Sequence, residues 1–237
     1  MYEDLKGKTA LITGAGKETG IGYAVAENLA KTGVNLALAD LARTQANNPL
    51  AAGDMQKLTH LAGGLGKTYG VRTMALDLDV TDGTSIRHMA NALETQFGRI
   101  DILFNNAGSV FGVPNAVHTY DEDAWLKTID VNLHGVFRIS KAVVPLMLEK
   151  GGSIINSASQ AAKKPPLFNG AYAVAKAGVV MLTKVMALEL AGSHIRVNAV
   201  CPGWTDTPMA AGNADDPAVI RRVTATMALR KIATPED

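Results

Sequence analysis

Tyr172 and Lys176 are the residues whose types and spacing most directly indicate chemistry. They lie four positions apart in a segment with a helical pattern, so their side chains share one face, one turn apart. An ammonium near a phenol stabilises the phenolate and lowers the tyrosine pKa, so that the phenol can act as an acid or a base near neutral pH. Such a pair is common and usually consists of a packed tyrosine and a solvated lysine, so the hypothesis needs further residues.

Ser159 is the first of these further residues. It follows the apolar run Gly152–Ser157, which is typical of a buried strand. Ligands of parallel sheets bind at the carboxyl ends of the strands, so a hydroxyl here can hold a substrate oxygen beside Tyr172. The histidines have no partners at metal-ligand spacing and Cys201 is the only cysteine, so we predict neither a metal site nor a disulfide.

A glycine-rich segment near the start of the chain predicts a phosphate-binding turn. Thr13–Gly22 follows an apolar run, opens a helical pattern and contains Gly14, Gly20 and Gly22. Glycines allow the backbone to approach a pyrophosphate closely, and the helix N-terminus offers free N–H groups. Any tight strand–helix turn favours glycine, but this one lies where a dinucleotide site is expected.

Asp40 ends the second apolar run and bears on the choice of cofactor. A carboxylate at this position accepts hydrogen bonds from the adenosine ribose hydroxyls and repels a 2′-phosphate. An ordinary strand-end residue or helix cap is the alternative interpretation. We predict NAD rather than NADP, although Lys17 and Arg43 could accommodate a 2′-phosphate.

The elements that must position these residues alternate between short apolar runs and longer helical patterns, as βαβ units require. We predict one domain over residues 1–237, of the α/β class, with a doubly wound parallel sheet (Rossmann fold). The predicted strands are Thr9–Thr13, Asn35–Asp40, Arg72–Leu76, Ile100–Asn105, Gly152–Ser157 and Ile195–Val200, and the predicted helices are Ile21–Thr32, Thr84–Phe97, Asp121–Glu149 and Ala171–Ala191.

Composition excludes several function classes. The chain has 237 residues, with 23 Lys and Arg against 22 Asp and Glu, so no charge excess favours nucleic acid or an anionic membrane surface. No uninterrupted apolar stretch approaches ~18 residues, so we predict no spanning helix. The start of the chain lacks a signal-peptide pattern, and we expect a cytoplasmic protein.

Six ordered motifs resemble the short-chain dehydrogenase/reductase family over nearly the whole chain. They are the Gly14–Gly22 turn, Asp79-Val80-Thr81-Asp82, Asn105-Asn106-Ala107-Gly108, Val131-Asn132-Leu133, Ser159 with Tyr172 and Lys176, and Pro202-Gly203-Trp204-Thr205-Asp206-Thr207.

The resemblance implies a role for each matching residue. Tyr172 would be the general acid/base, Lys176 would lower its pKa and bind the nicotinamide ribose, and Ser159 would polarise the substrate oxygen. Asn132 would help to maintain a proton-relay water, with a helix-packing amide as the alternative. The cofactor would contact Gly14, Gly20, Ile21, Gly22 and Asp40 at the turn, Asp79 and Val80 at adenine, Asn106, Ala107 and Gly108 along the ribose, and Pro202, Gly203, Thr205 and Thr207 at the nicotinamide; Asn106 could equally stabilise the sheet.

Two regions depart from the family pattern. Five residues separate Gly14 from Gly20 where the family usually has three, which resembles the enoyl reductases, but those place more residues between the tyrosine and the lysine. Asp40–Asp79 is long, and Asn47-Asn48-Pro49 with Gly63-Gly64 predicts an extra surface loop there.

After Pro235-Glu236-Asp237 the family normally continues with a strand that this sequence does not contain, and we expect that the sequence stops early rather than that the fold has lost it. Without that strand, the sixth strand would expose an unpaired edge. The implied assembly is a homo-oligomer, a tetramer or a dimer.

The expected function is NAD-dependent interconversion of a secondary alcohol and a ketone, with a small-molecule substrate. An NADPH-dependent 3-oxoacyl reductase is the alternative within the same class, and a dinucleotide-binding sensor without turnover is the alternative from another class. The alanine-rich region Met209–Thr226, which we expect to be a mobile lid, does not identify the substrate.

Overall fold

A single sheet of six parallel strands forms the centre of the molecule. The computed structural model describes residues 3–42, 54–210 and 217–237. Within them the strand order is β3-β2-β1-β4-β5-β6. The chain builds the sheet outward from β1 to β3 and then returns to place β4 on the other side of β1, so the strand order reverses between the neighbours β1 and β4. This is the predicted doubly wound Rossmann arrangement, in which ligands bind at the carboxyl edge near that reversal. The strands are β1 (Thr9–Thr13), β2 (Asn35–Asp40), β3 (Thr73–Asp77), β4 (Ile102–Asn105), β5 (Gly152–Ser157) and β6 (Ile195–Val200).

Helices cover both faces of the sheet because neighbouring strand residues point to opposite sides. Leu11 and Leu103 pack on one face with residues of α3, α5 and α6, whereas Ile12 and Phe104 pack on the other with α1 and α2. The helices are α1 (Ile21–Lys31), α2 (Met55–Tyr69), α3 (Gly83–Phe97), α4 (Glu122–Ile129), α5 (Gly135–Val143), α6 (Gly170–Leu190) and α7 (Pro217–Thr224).

The strands follow the sequence-based boundaries with three differences. β3 begins and ends one residue later than predicted, and β4 begins at Ile102 rather than Ile100. β6 is not buried along its whole length: Ile195 and Val197 are buried, whereas Val200 is 41% exposed. The reason is its place at the edge of the sheet within the described residues, where one face has less cover.

Helix α2 corrects the prediction of an extra loop at Gly63-Gly64, whereas Asn47-Asn48-Pro49 lies outside the described residues. The side chain of Asp54 caps α2 by accepting a hydrogen bond from the Gln56 N–H at 2.8 Å, and Gly70 ends it with a φ of +68°. Four residues at helical spacing are buried against the sheet: Leu58, Leu61, Ala62 and Leu65. Gly63 and Gly64 lie inside this helix and are exposed, so their low helix propensity misled the prediction.

The predicted helix Asp121–Glu149 is also corrected, because it is interrupted. α4 ends at Ile129, a π-helical turn spans Asp130–His134, and α5 resumes at Gly135 and ends at Val143. Such single wide turns are frequent at functional sites because they redirect the side chains that follow.

The region expected to be a lid contains a helix, α7, from Pro217. Residues 211–216 of that region lie outside the described residues, as does Arg43. A second finding concerns α6: the stretch Gly170–Ser193 has a mean hydropathy of 1.5 and could cross a membrane by length and composition alone. The prediction of no spanning helix counted uninterrupted apolar residues, whereas an average tolerates interruptions such as Lys176. Core helices pass the same test, so this is a weak indication.

Candidate active site

The glycine-rich turn brings the backbone of β1 against that of β4. Gly14 has a φ of +68°, and a Cβ atom at this position would lie 2.9 Å from the Ala107 Cα. Gly20 precedes α1 in an extended conformation, and no side chain caps the helix there. The N-terminus of α1 is therefore an open, electropositive site at the mouth of a cavity, which fits a phosphate group.

Asn106 locks this turn in place. Its side-chain amide donates to the Thr13 carbonyl oxygen at 3.1 Å and to the Gly14 carbonyl oxygen at 3.0 Å. The Thr13 hydroxyl oxygen in turn accepts the backbone N–H groups of Asn106 and Ala107, each at 3.0 Å. The amide of Asn106 thus joins β1 to β4, which is the sheet-stabilising alternative raised from the sequence.

Asp40 lies beside the same turn. Its Oδ2 atom accepts the Gly16 N–H at 2.6 Å, and its Oδ1 atom accepts the Leu41 N–H at 2.7 Å. Burial raises the pKa of the carboxyl above its usual value, and the two backbone hydrogen bonds and the nearby Lys17 only partly oppose this. Each carboxylate oxygen has a second lone pair, so each can also accept a hydrogen bond from a hydroxyl group.

Asp79 and Val80 follow β3 and line the cavity on the β1–β3 side. The Asp79 Oδ1 atom accepts the Thr81 N–H at 2.9 Å and the Thr81 hydroxyl at 2.6 Å, which closes a tight turn before α3. The Asp79 N–H donates to the Ser85 hydroxyl oxygen at 2.9 Å. The turn leaves Val80 only 7% exposed, with an apolar side chain that can pack on a planar ring.

Ser159 is oriented by its own backbone neighbours. It caps the short 3-10 helix Gln160–Ala162, because its hydroxyl oxygen accepts the Ala161 N–H at 3.1 Å. The hydroxyl proton stays available for donation, and Ser159 lies within hydrogen-bonding reach of the Tyr172 phenol. A carbonyl oxygen held by Ser159 would therefore lie next to the phenol.

Tyr172 and Lys176 lie on one face of α6, as predicted, with the Lys176 Nζ atom 5.5 Å from the centre of the Tyr172 ring. The Lys176 Nζ donates to the Ser157 carbonyl oxygen at 2.7 Å. Burial lowers the pKa of Lys176 to about 8. The lysine therefore remains mostly charged at neutral pH, in a pocket that leaves it 3% exposed.

The pKa of Tyr172 is shifted in the direction opposite to the one predicted. Burial raises the pKa above the usual value of 10, and the hydrogen bond with Ser159 lowers it by a smaller amount. Proximity to Lys176 does not produce the predicted lowering. The group is therefore a neutral phenol at pH 7, the form that donates a proton.

Asn132 reaches the site from the π-helical turn and is fully buried. Its Nδ2 atom donates to the Ser109 carbonyl oxygen at 2.5 Å and to the Thr128 carbonyl oxygen at 2.8 Å. Its Oδ1 atom is buried without a hydrogen-bond partner. A buried acceptor left unsatisfied costs about 1–3 kcal/mol, so this oxygen is a place for a bound donor such as a water or a ligand hydroxyl.

The segment from Pro202 to Thr207 covers the opposite side of the cavity. The Gln160 N–H donates to the Pro202 carbonyl oxygen at 2.9 Å, so this loop is tied to the one that carries Ser159. Near the end of the chain, Ala233 exchanges backbone hydrogen bonds with the same loop, accepting from Asp206 at 2.8 Å and donating to Trp204 at 3.1 Å. The Thr207 hydroxyl donates weakly within the loop, to the Thr205 carbonyl oxygen at 3.4 Å.

One cavity of about 490 Å³ gathers most of the predicted residues. Gly22 and Asn132 do not line it; Gly22 packs on the Gly14 backbone and Asn132 lies behind Gly108. The predicted residues that line it are Gly14, Gly20, Ile21, Asp40, Asp79, Val80, Asn106, Ala107, Gly108, Ser159, Tyr172, Lys176, Pro202, Gly203, Thr205 and Thr207. Met209 and Ala210, from the region expected to be a lid, also line it, whereas sequence reasoning missed Val110, Phe111, Gln160 and Asn169. Only their positions just after predicted strands or motifs could have indicated them.

These residues fit a dinucleotide. The glycine turn leaves no room for a Cβ atom at Gly14, the helix N-terminus is uncapped, and a single cavity continues from Asp40 to Tyr172. Fold and site together define a nicotinamide-dinucleotide oxidoreductase.

Comparisons with known proteins agree with this class. A family model described as "Enoyl-(Acyl carrier protein) reductase" matches residues 14–237. Oxidoreductase UcpA of Salmonella typhimurium is 40% identical over 240 residues, which cover 98% of this chain and 84% of the relative.

Two solved structures have the same fold. Carveol dehydrogenase from Mycobacterium avium in complex with NAD has a TM-score of 0.85 and 30% identity, covering 97% of this chain and 86% of that one. L-sorbose reductase from Gluconobacter frateurii, complexed with NADPH and L-sorbose, has a TM-score of 0.85 and 29% identity, covering 100% and 88%. The chain belongs to the short-chain dehydrogenase/reductase family and is an oxidoreductase.

Proposed function

We propose that this enzyme uses NAD to interconvert a secondary alcohol and a ketone. The observation that carries the proposal is the position of Asp40, whose carboxylate lines the same cavity as Ser159, Tyr172 and Lys176. A carboxylate at the end of β2 can accept the two ribose hydroxyls of NAD and repels the additional phosphate of NADP. The bound dinucleotide would supply the acceptor or donor of hydride.

Tyr172 carries the proton in this proposal. During reduction, the phenol donates its proton to the carbonyl oxygen as hydride reaches the carbonyl carbon, which yields the alcohol. During oxidation, the phenolate removes the hydroxyl proton as hydride leaves the carbinol carbon. Ser159 donates a hydrogen bond to the same oxygen and so stabilises the negative charge that develops on it.

Lys176 and Asn132 support this transfer. The charged Lys176 provides a hydrogen-bond donor for a ribose hydroxyl at the floor of the cavity. The unpartnered Oδ1 atom of Asn132 accepts a hydrogen bond from a water that returns the proton to solvent.

The second candidate is an NADPH-dependent 3-oxoacyl reductase. The observation that favours it is Lys17, which lines the cavity and lies near enough to Asp40 to lower its pKa. A lysine beside the ribose can pair with a 2′-phosphate. Asp40 supports the first candidate, because its hydrogen bonds with Gly16 and Leu41 hold the carboxylate beside the glycine-rich turn.

The test is a parallel titration of NADH and NADPH, followed by quenching of Trp204, which lines the cavity. We expect tighter binding of NADH to the wild type and a shift of at least tenfold toward NADPH in Asp40→Asn. Lys17→Gln is the matched control, and it should leave NADH binding unchanged. Preference of the wild type for NADPH, lost in Lys17→Gln, would instead support the reductase.

We also propose that α6 forms an interface with a second copy of the chain. Val174, Met181, Val185 and Leu188 recur along one side of this helix and are 53%, 58%, 41% and 82% exposed. Leu188→Glu should reduce the molar mass measured by light scattering, whereas Leu148→Glu, at an exposed leucine outside α6, should not. A monomeric wild type would contradict the proposal.

A further inference from the structure

The outward side of the π-helical turn carries an ion-pair cluster. The Asp130 Oδ1 atom accepts a hydrogen bond from the Arg138 Nη2 atom at 2.7 Å and lies 3.0 Å from the His134 Nδ1 atom. The Asp130 and Arg138 side chains are each about one-third exposed, at 31% and 33%. Isolated surface pairs contribute little to stability, so the location of this pair matters more than its strength.

That location spans the irregular part of the helix. Asp130 opens the π-helical turn, and Arg138 lies in α5 beyond its end. The wide turn is closed by the Gly135 N–H, which donates to the Asp130 carbonyl oxygen. The side-chain pair therefore joins the two helical segments across the turn that breaks their regular hydrogen bonding.

The inward side of the same turn carries Asn132. A Cβ atom at Gly108 would lie 2.8 Å from the Asn132 Oδ1 atom and 3.8 Å from the Lys176 Nζ atom. The unpartnered oxygen and the buried ammonium thus face the same small space. A rotation of the turn would move the oxygen out of that space.

The turn also touches the β1–β3 side of the cavity. A Cβ atom at Gly135 would lie 2.8 Å from the Val80 Cγ2 atom, so the turn packs directly on Val80. The Arg138 Nη1 atom is 3.5 Å from the Val80 carbonyl oxygen. Arg138 therefore contacts both the opening residue of the turn and the wall of the cofactor cavity.

We infer that Asp130 and Arg138 are positioning residues, which hold the π-helical turn so that the Asn132 Oδ1 atom stays beside Lys176. The inference rests on the proposed function, because it assumes that Asn132 takes part in proton transfer. Burial raises the pKa of Asp130, but the hydrogen bonds from Arg138 and His134 together lower it by a larger amount. The net pKa is below the usual value, so the carboxylate is charged at neutral pH.

The experiment is a double-mutant cycle of Arg138→Gln and Asn132→Ala, with kcat and the cofactor Kd measured for each variant. We expect Arg138→Gln to lower kcat about tenfold and to change the cofactor Kd less than twofold. In the Asn132→Ala background, Arg138→Gln should lower kcat by less than twofold, because the amide that it positions is absent. Arg138→Lys should restore part of the loss by keeping the charge.

Glu27→Gln is the control, because it removes a partly exposed ion pair, Lys31–Glu27 at 3.1 Å, that lies on α1 outside the cavity. It should keep the wild-type kcat. The inference, but not the proposed function, would be overturned by a wild-type kcat in Arg138→Gln. It would also be overturned if the two losses of kcat multiply in the double variant. A wild-type kcat in Asn132→Ala would overturn its premise in the proposed function. Thermal melts establish that each variant is folded, and Arg138→Lys replaces Arg138→Gln in the cycle if the latter is not.

Discussion

The two halves of the sheet build their parts of the site in different ways. On the β1–β3 side, the site is mainly backbone: a glycine with a positive φ, an uncapped helix, and backbone N–H groups that hold the one carboxylate, that of Asp40. On the β4–β6 side, it consists of side chains, of which Asn132 and Lys176 are the most buried, at 0% and 3% exposed.

This difference indicates how each half responds to change. A backbone site depends on space, so an added methyl group is sufficient to damage it. A side-chain site depends on charge and proton position, so an isosteric change can remove the chemistry and leave the fold intact.

The largest effect is expected at Tyr172, on the side-chain half. Tyr172→Phe removes the proton donor and little volume, so kcat should fall by about 10³-fold while the cofactor Kd stays within twofold. Tyr69→Phe, which removes a hydroxyl bonded to Glu27 at 2.9 Å on α1, is the control and should retain activity. Turnover that survives Tyr172→Phe would refute the assignment.

On the backbone half, Gly14→Ala should destabilise the fold and the cofactor site together. The φ of +68° and the 2.9 Å approach to the Ala107 Cα leave no place for a methyl group. We expect a loss of about 2 kcal/mol in the free energy of unfolding and a cofactor Kd raised on the order of tenfold.

Gly63→Ala is its matched control. Gly63 lies inside α2 with nothing within 4 Å of a Cβ atom, so the substitution should stabilise the fold by about 0.5–1 kcal/mol. Urea unfolding and cofactor titration distinguish the two variants, and equal effects would contradict the backbone account.

The smallest effect concerns the pH dependence of stability at Lys176. Its pKa is lowered by burial from 10.5 to about 8. Between these values the unfolded chain binds a proton that the folded chain does not, so this group makes stability rise with pH in that window and adds a constant penalty below it.

Lys176→Met should remove this rise. From pH 8 to pH 9.5 the wild type should gain about 1–2 kcal/mol relative to the variant, as measured by urea unfolding. The Ser157 carbonyl oxygen left without its donor shifts the variant's stability by an amount that does not depend on pH. If the free energies of unfolding of the two proteins change with pH in parallel, then the pKa of Lys176 is not lowered by burial.

The sequence was informative wherever the signal is local. Apolar runs identified six strands because strands covered on both faces have no polar side, and the boundaries differ by two residues at most. α2 was missed because its paired glycines are typical of loops, although its buried leucines have helical spacing. The π-helical turn has no signature of its own, so the helix over 121–149 was predicted as continuous.

The amino-acid sequence by itself therefore determined the fold class and the family, and it predicted which side chains react, since these inferences follow from residue type and spacing. Only the tertiary structure decided the direction of the Tyr172 pKa, because burial depends on how α6 packs. It also decided that the Asn106 amide joins β1 to β4, and that Asn132 lies beside Lys176. These properties depend on distances between segments far apart in the chain, which spacing along the sequence does not encode.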